Sequence, residues 1–161
     1  MPRRRVDPER LKGAIYGTIL VVSLVAAMGQ DPTFSAWDMI FWVVVTNAVF
    51  WLAHVYASLV ALYFERGRRP GLRDVGRQMR QQWPIVNAVA LPALALVLAG
   101  AHLWSRGVGV NIAIAVGVAS LFAWGVMVGR RAGLGLAGVL TSAVLSLAFG
   151  LVIVALEVAI D

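Results

Sequence analysis

Residues Thr46–Pro70 read TNAVFWLAHVYASLVALYFERGRRP, and no charged residue falls between Asp38 and Glu65. Then Arg66, Arg68 and Arg69 follow within four positions, and Pro70 and Gly71 end the run. An uncharged stretch of this length closed by arginines is what a bilayer crossing requires. The hydrocarbon core offers no water to a charge or to an open backbone, so the segment must be apolar and helical, and its cations collect at the headgroups. The same stretch carries Asn47 and His54, an amide and an imidazole in a setting that disfavours both.

Working outward from this segment, four more apolar runs appear in the 161 residues, giving spans over roughly 11–28, 38–64, 84–103, 108–128 and 133–158. The whole chain is 60% hydrophobic, above the ~45–50% of an ordinary soluble domain. The five runs consume nearly the whole sequence, so residues 1–161 form a single membrane domain. The runs are unbroken rather than alternating, which excludes barrel strands and predicts an all-α, polytopic architecture. The opening segment MPRRRVDPERLKGAIYGTILVVSLVAAM resembles a signal peptide, but it has no small-residue cleavage site and Asp7 and Glu9 interrupt its basic region. It is read as a retained first span.

Orientation follows from the cations. Thirteen of the fourteen Lys and Arg residues fall in the leading segment, in the loop after span two, or between spans four and five; Arg106 alone lies in the opposite loops. The positive-inside rule places the N-terminus in the cytoplasm and the C-terminus outside. Trp37, Trp42, Trp83 and Trp104 stand near the expected water boundaries, whereas Trp51 and Trp124 lie deeper, as packing residues. In the loop between spans two and three, Leu72, Val75 and Met79 recur at helical spacing with Arg73, Arg77 and Arg80 on other faces. This predicts a short amphipathic cytoplasmic helix whose arginines contact anionic lipid headgroups, or a topogenic loop with no further role. The net charge of +6 thus belongs to the membrane boundary and not to nucleic acid.

Association between spans depends on close contact through small residues, because lipid tails are as apolar as leucine. Gly138, Ser142, Ser146 and Gly150 recur every four residues on span five. That stripe is an intrachain contact or the seam of a homo-oligomer. Span four offers Gly109, Ala113, Gly117, Gly125 and Gly129, and span one offers Gly13 and Gly17.

Polar residues inside the spans are the candidates for function. Asn47, Trp51, His54 and Ser58 share one face of span two, and Tyr16 and Ser23 share one face of span one. Either these groups bond across helices as glue, or Tyr16, Ser23, Asn47, His54 and Ser58 line a path for an ion or small solute. His54 lies roughly 24 Å below the outer surface, counted at a helical rise, whereas His102 lies at the outer end of span three, so the two cannot ligate one haem iron. With no cysteine, no P-loop, no G-x-S-x-G and no H-E-x-x-H, no catalytic residue, cofactor or metal site is expected. Glu157, near the outer end of span five, is a boundary residue.

The segment GAIYGTILVVSLVAAMG, Gly13–Gly29, resembles the first span of the vacuolar iron transporter family in its Ile15-Tyr16-Gly17 motif. The resemblance implies five spans, a cytoplasmic N-terminus and a basic segment between spans two and three. That family carries an acidic residue for metal transfer just after the glycine; here Thr18, Ile19 and Leu20 stand there. A fainter likeness is to lysosomal-type potassium channels, whose first-span motif ends in Ser-Asp; RLKGAIY, Arg10–Tyr16, lacks that pair. The expected function is a small oligomeric transporter or channel. The alternative is an accessory or structural subunit that binds a membrane protein partner or lipid, with an enzyme third. The Arg-, Ala- and Gly-rich composition points to a bacterial plasma (inner) membrane.

Overall fold

The computed structural model describes residues 8–160. Arg3, Arg4, Arg5 and the terminal Asp161 lie outside them, as do the side chains of Arg10 and Glu157. Every regular element among the described residues is a helix: α1 (Pro8–Gln30), α2 (Ala36–Arg66), α3 (Leu72–Gln81), α4 (Trp83–Asn87), α5 (Ala90–Gly100), α6 (Arg106–Arg131) and α7 (Leu136–Ile160). Three helical stretches are long and apolar enough to cross a membrane, Leu11–Gln30, Ala36–Arg66 and Arg106–Arg131. A fourth is added if Leu72–Asn87 and Ala90–Gly100, bent by 48° at their junction, count as one. The described apolar part of α7, Leu136–Val152, is shorter.

The segment expected to form one continuous helix over 84–103 is broken at Ala88–Val89. Pro92 is the cause. It has no N–H to return to the Ala88 carbonyl four residues back, and its ring crowds that carbonyl. The Val89 N–H turns instead to Val86 O at 3.2 Å, which leaves the Ile85 carbonyl without its helical donor.

The remaining ends are capped by local chemistry. Ser35 and Asp38 form a reciprocal capping box at the start of α2, and the Ser105 hydroxyl accepts the Val108 N–H at the start of α6. The ends of α5 and α6 close in the same double bond pattern. His102 and Leu103 N–H bond Ala99 O and Leu98 O, and Gly133 and Leu134 N–H bond Arg130 O and Gly129 O. His102 holds φ 60° to do this, and Gly133 φ 72°. His102 is thus a helix terminator, exposed at the surface.

The glycines of α6 make it the hub of the bundle. Gly109 faces Ala99 of α5, Gly117 faces Val22 of α1, and Gly125 and Gly129 lie against the backbone of α7 at Ala143 and Val139. A Cβ on any of these four glycines would come within 2.7 Å of a neighbouring atom, so the side chain is excluded by the packing itself. The core between α1, α2, α5 and α6 is built from Val21, Val25, Met39, Val43, Leu96 and Ala113. At one end, Arg106 reaches across three carbonyls, Phe34 O (2.8 Å), Met28 O (3.0 Å) and Asp31 O (2.6 Å), and so ties the start of α6 to the α1–α2 turn. The other end gathers the start of α1, the α2–α3–α4 corner and the end of α6, where the remaining described cations stand.

Candidate functional site: the polar face of α2

The face of α2 carrying Asn47, Trp51, His54 and Ser58 lies against the α3–α4 corner. It grips the corner where α3 turns into α4. Asn47 Nδ2 donates to the orphaned Ile85 carbonyl at 3.2 Å, Trp51 Nε1 donates to Met79 O at 3.3 Å, and the Ser58 hydroxyl accepts from Gln82 Nε2 at 3.1 Å. Met79, Gln82 and Ile85 are three residues apart in sequence, so three successive steps of the corner meet three steps of α2. The Trp51 ring also meets Trp83 edge to face at 5.8 Å between centroids. The α3–α4 turn has carbonyls without helical donors, and Asn47 and Trp51 of α2 supply donors to two of them.

The Ile85 carbonyl lies at a three-helix junction. A Cβ on Gly17 of α1 would sit 2.8 Å from Ile85 O, so only glycine lets α1 approach it. Asn47 itself is 2% exposed, and its Oδ1 has no hydrogen-bond partner. The amide orientation is fixed by its neighbour, since a carbonyl can only accept.

His54 lies to one side of this clamp. Its Nδ1 is 3.0 Å from the Phe50 carbonyl, which requires the proton on Nδ1, and its ring lies tilted against Phe50 and Tyr16, with centroids 4.6 Å and 6.2 Å away. Tyr16 is 46% exposed. Ser58 donates back to His54 O (2.8 Å), and Ser23 donates to Ile19 O within α1 (3.2 Å). Of the five candidates, Tyr16 and His54 touch each other, Asn47 and Ser58 bind the corner, and Ser23 stands apart. Thr18 is buried and donates to Ala14 O at 2.7 Å.

The corner holds α3 against α2 while its arginines face outward. Asp74 is buried, accepts the Gly71 N–H at 3.1 Å and pairs with Arg66 at 3.1 Å and Arg68 at 3.9 Å. The Gly71 N–H, then Arg66 and Arg68, hold its carboxyl below the usual carboxylate range. Leu72, Arg73, Arg77 and Arg80 are exposed. Arg73 and Arg77 share one shallow basic hollow of about 500 Å³ with Arg66 and Arg68, and Arg80 extends a second of about 440 Å³.

On α7, Ser142, Ser146 and Gly150 face α6: a Cβ on Gly125 would meet Ser142 O and Ser146 Oγ, and one on Gly150 would meet Leu121. Gly138 instead lies over Leu134 of the preceding turn. Among the described residues no three His, Cys, Asp or Glu side chains converge as a metal site would need. Sequence reasoning did not foresee Gln82, the Ile85 carbonyl or the three-carbonyl role of Arg106; only Pro92 in the sequence hinted that a carbonyl would be set free. Compared with known protein families, curated proteins and solved structures, the chain finds no match.

Proposed function

We propose that the chain is a five-span integral membrane protein of the bacterial plasma membrane, with its basic end in the cytoplasm, and that it acts as a non-catalytic subunit presenting α3 to anionic lipid. The carrying observation is the three-bond clamp of Asn47, Trp51 and Ser58 on the α3–α4 corner. Two of the five groups that would line a path, Asn47 and Ser58, hold the corner that carries a surface helix. That helix turns Leu72 and three arginines away from the bundle, the arrangement of an interfacial anchor. The vacuolar iron transporter family carries an acid soon after the glycine, where this chain has Thr18, Ile19 and Leu20, and the Thr18 hydroxyl is closed onto its own helix, so the resemblance is kept for the order of spans and not for metal transfer.

Co-flotation with vesicles of phosphatidylglycerol or phosphatidylcholine tests this. Chain in detergent should partition onto the anionic vesicles and lose that preference when Arg73, Arg77 and Arg80 are changed to Gln. Equal flotation of the variant would refute it. A transport path keeps one specific observation in its favour, the partnerless Asn47 Oδ1 on the same face of α2 as His54, whose ring meets the half-exposed Tyr16. Ion or solute flux in liposomes that disappears in both Asn47→Ala and His54→Ala, with the fold intact, would establish that reading instead. Self-association, a further part of the proposal, is read from the mass of the purified particle.

A further inference from the structure

A second lipid contact lies on the far side of the same corner. Beside the close contacts that Gly13 and Gly17 of α1 make with Ile85, residues of α1, of the α4 segment and of α6 line one hollow. The result is a groove of about 350 Å³, with Leu11 and Ala14 on one wall, Pro84 and Ala88 on another, and Trp124 and Met127 on the third. Its size is within the range of sites for small amphiphilic ligands, roughly 300–1,000 Å³. Two groups break its apolar lining, the Asn87 amide and the Arg131 guanidinium. Among the described residues, no acidic side chain lines it.

An apolar groove with an exposed arginine among its lining residues suits an amphiphile with an anionic head. We propose that this groove binds one anionic phospholipid of the adjoining leaflet, its acyl chain against Leu11, Ala14, Ala88, Trp124 and Met127 and its phosphate at Arg131. The proposal rests on the reading of the basic end as the cytoplasmic face of a membrane protein. A guanidinium is suited to phosphate because its planar donors meet two oxygens at once. A peptide helix is a poorer occupant, since the slot narrows onto α1 and α4 where Gly17 packs against Ala88.

Native mass spectrometry of the full chain in mild detergent, titrated with phosphatidylglycerol or phosphatidylcholine, tests the site. One phosphatidylglycerol should bind about tenfold more tightly to the parent than to Arg131→Gln, the scale of a single charge-assisted contact. Phosphatidylcholine should bind both alike. Ala88→Phe, which fills the slot, should weaken retention of either lipid. Arg73→Gln with Arg77→Gln, which alters α3 only, should leave the tight lipid in place. Arg131 is exposed at the end of α6, so its substitution does not threaten the fold. Equal phosphatidylglycerol affinity in Arg131→Gln and the parent would overturn the proposal, and so would loss of the tight lipid on changing α3 alone. Flotation that fails while the Arg131-dependent lipid persists would count against α3 as the anchor and leave the groove standing.

Discussion

At the scale of single residues, the molecule is organised around one carbonyl. Ile85 O loses its helical donor because Pro92 interrupts the ladder, and Asn47 replaces the missing N–H from a neighbouring helix. An interhelical bond in a membrane is worth only about 0.6 kcal/mol on average. Leaving a buried carbonyl unpaired costs more, about 1–3 kcal/mol. Asn47→Leu should therefore destabilise the chain by roughly 1–2 kcal/mol in a reversible detergent unfolding titration. A neutral result would mean that Ile85 O finds another donor. Gly17 and Gly76 give opposed outcomes. Gly17→Ala would set a methyl 2.8 Å from Ile85 O and 3.0 Å from Ala88 Cβ, and should cost about 1–3 kcal/mol by overpacking. Gly76, inside α3 with open space around it, should gain roughly 0.5–1 kcal/mol as Ala, from backbone entropy alone. The same unfolding titration reads both. That Asn47 would face other protein was legible from its spacing of four to Trp51 and seven to His54, which puts the three on one helix face. The identity of its partner was not, because a backbone carbonyl has no signature in the sequence.

At the scale of elements, α3 is held by its two ends as much as by its face. Arg66 ends α2 and Asp74 opens α3, so their pairing bridges the loop through Pro70 and Gly71. The Asp74 carboxyl titrates below its unfolded value of ~3.9, because the charged form accepts the Gly71 N–H and faces Arg66 and Arg68. Its contribution is therefore complete above that unfolded value and is lost as pH falls through the depressed folded one. The Trp51 and Trp83 rings report the docking of α3 and α4. Their fluorescence should hold steady on acidification to pH ~4 and change below it, whereas Asp74→Asn should already show the undocked signal at neutral pH and no transition. A transition at the same pH in Asp74→Asn would assign it to another group. The amphipathic helix was legible because Leu72, Val75 and Met79 repeat at helical spacing. The break at Ala88–Val89 was legible only in principle: Pro92 is present, but an apolar count over 84–103 does not register a lost donor. The stripe on α7 was legible as a packing surface, and its partner, the glycine row of α6, became apparent only when the two were set side by side.

At the scale of the whole molecule, the helices run back and forth between two ends of unlike chemistry. At one end Arg106 binds the α1–α2 turn through three carbonyls and Trp37 covers Gly100, its Nε1 3.2 Å from that carbonyl. At the other lie α3, the groove at Arg131 and the arginine-rich loops. The division was legible from the arginine positions, since cations at alternate loops sort the chain into two sides whatever the packing between them. Burial was not legible in the same way, because apolar residues on the outside of the bundle and apolar residues packed inside it look alike in sequence; Tyr56 and Phe64 are exposed while Met39 and Val43 are buried on the same helix. The central claim, that the arginine-rich end lies inside and the chain crosses the bilayer between its two ends, has a direct test. The chain contains no cysteine, so each introduced thiol is unique. In intact cells a membrane-impermeant maleimide should label Thr33→Cys and Ser105→Cys, and should reach Arg69→Cys and Gly133→Cys only after the membrane is opened. Labelling of Thr33→Cys and Arg69→Cys from the same side would contradict the account.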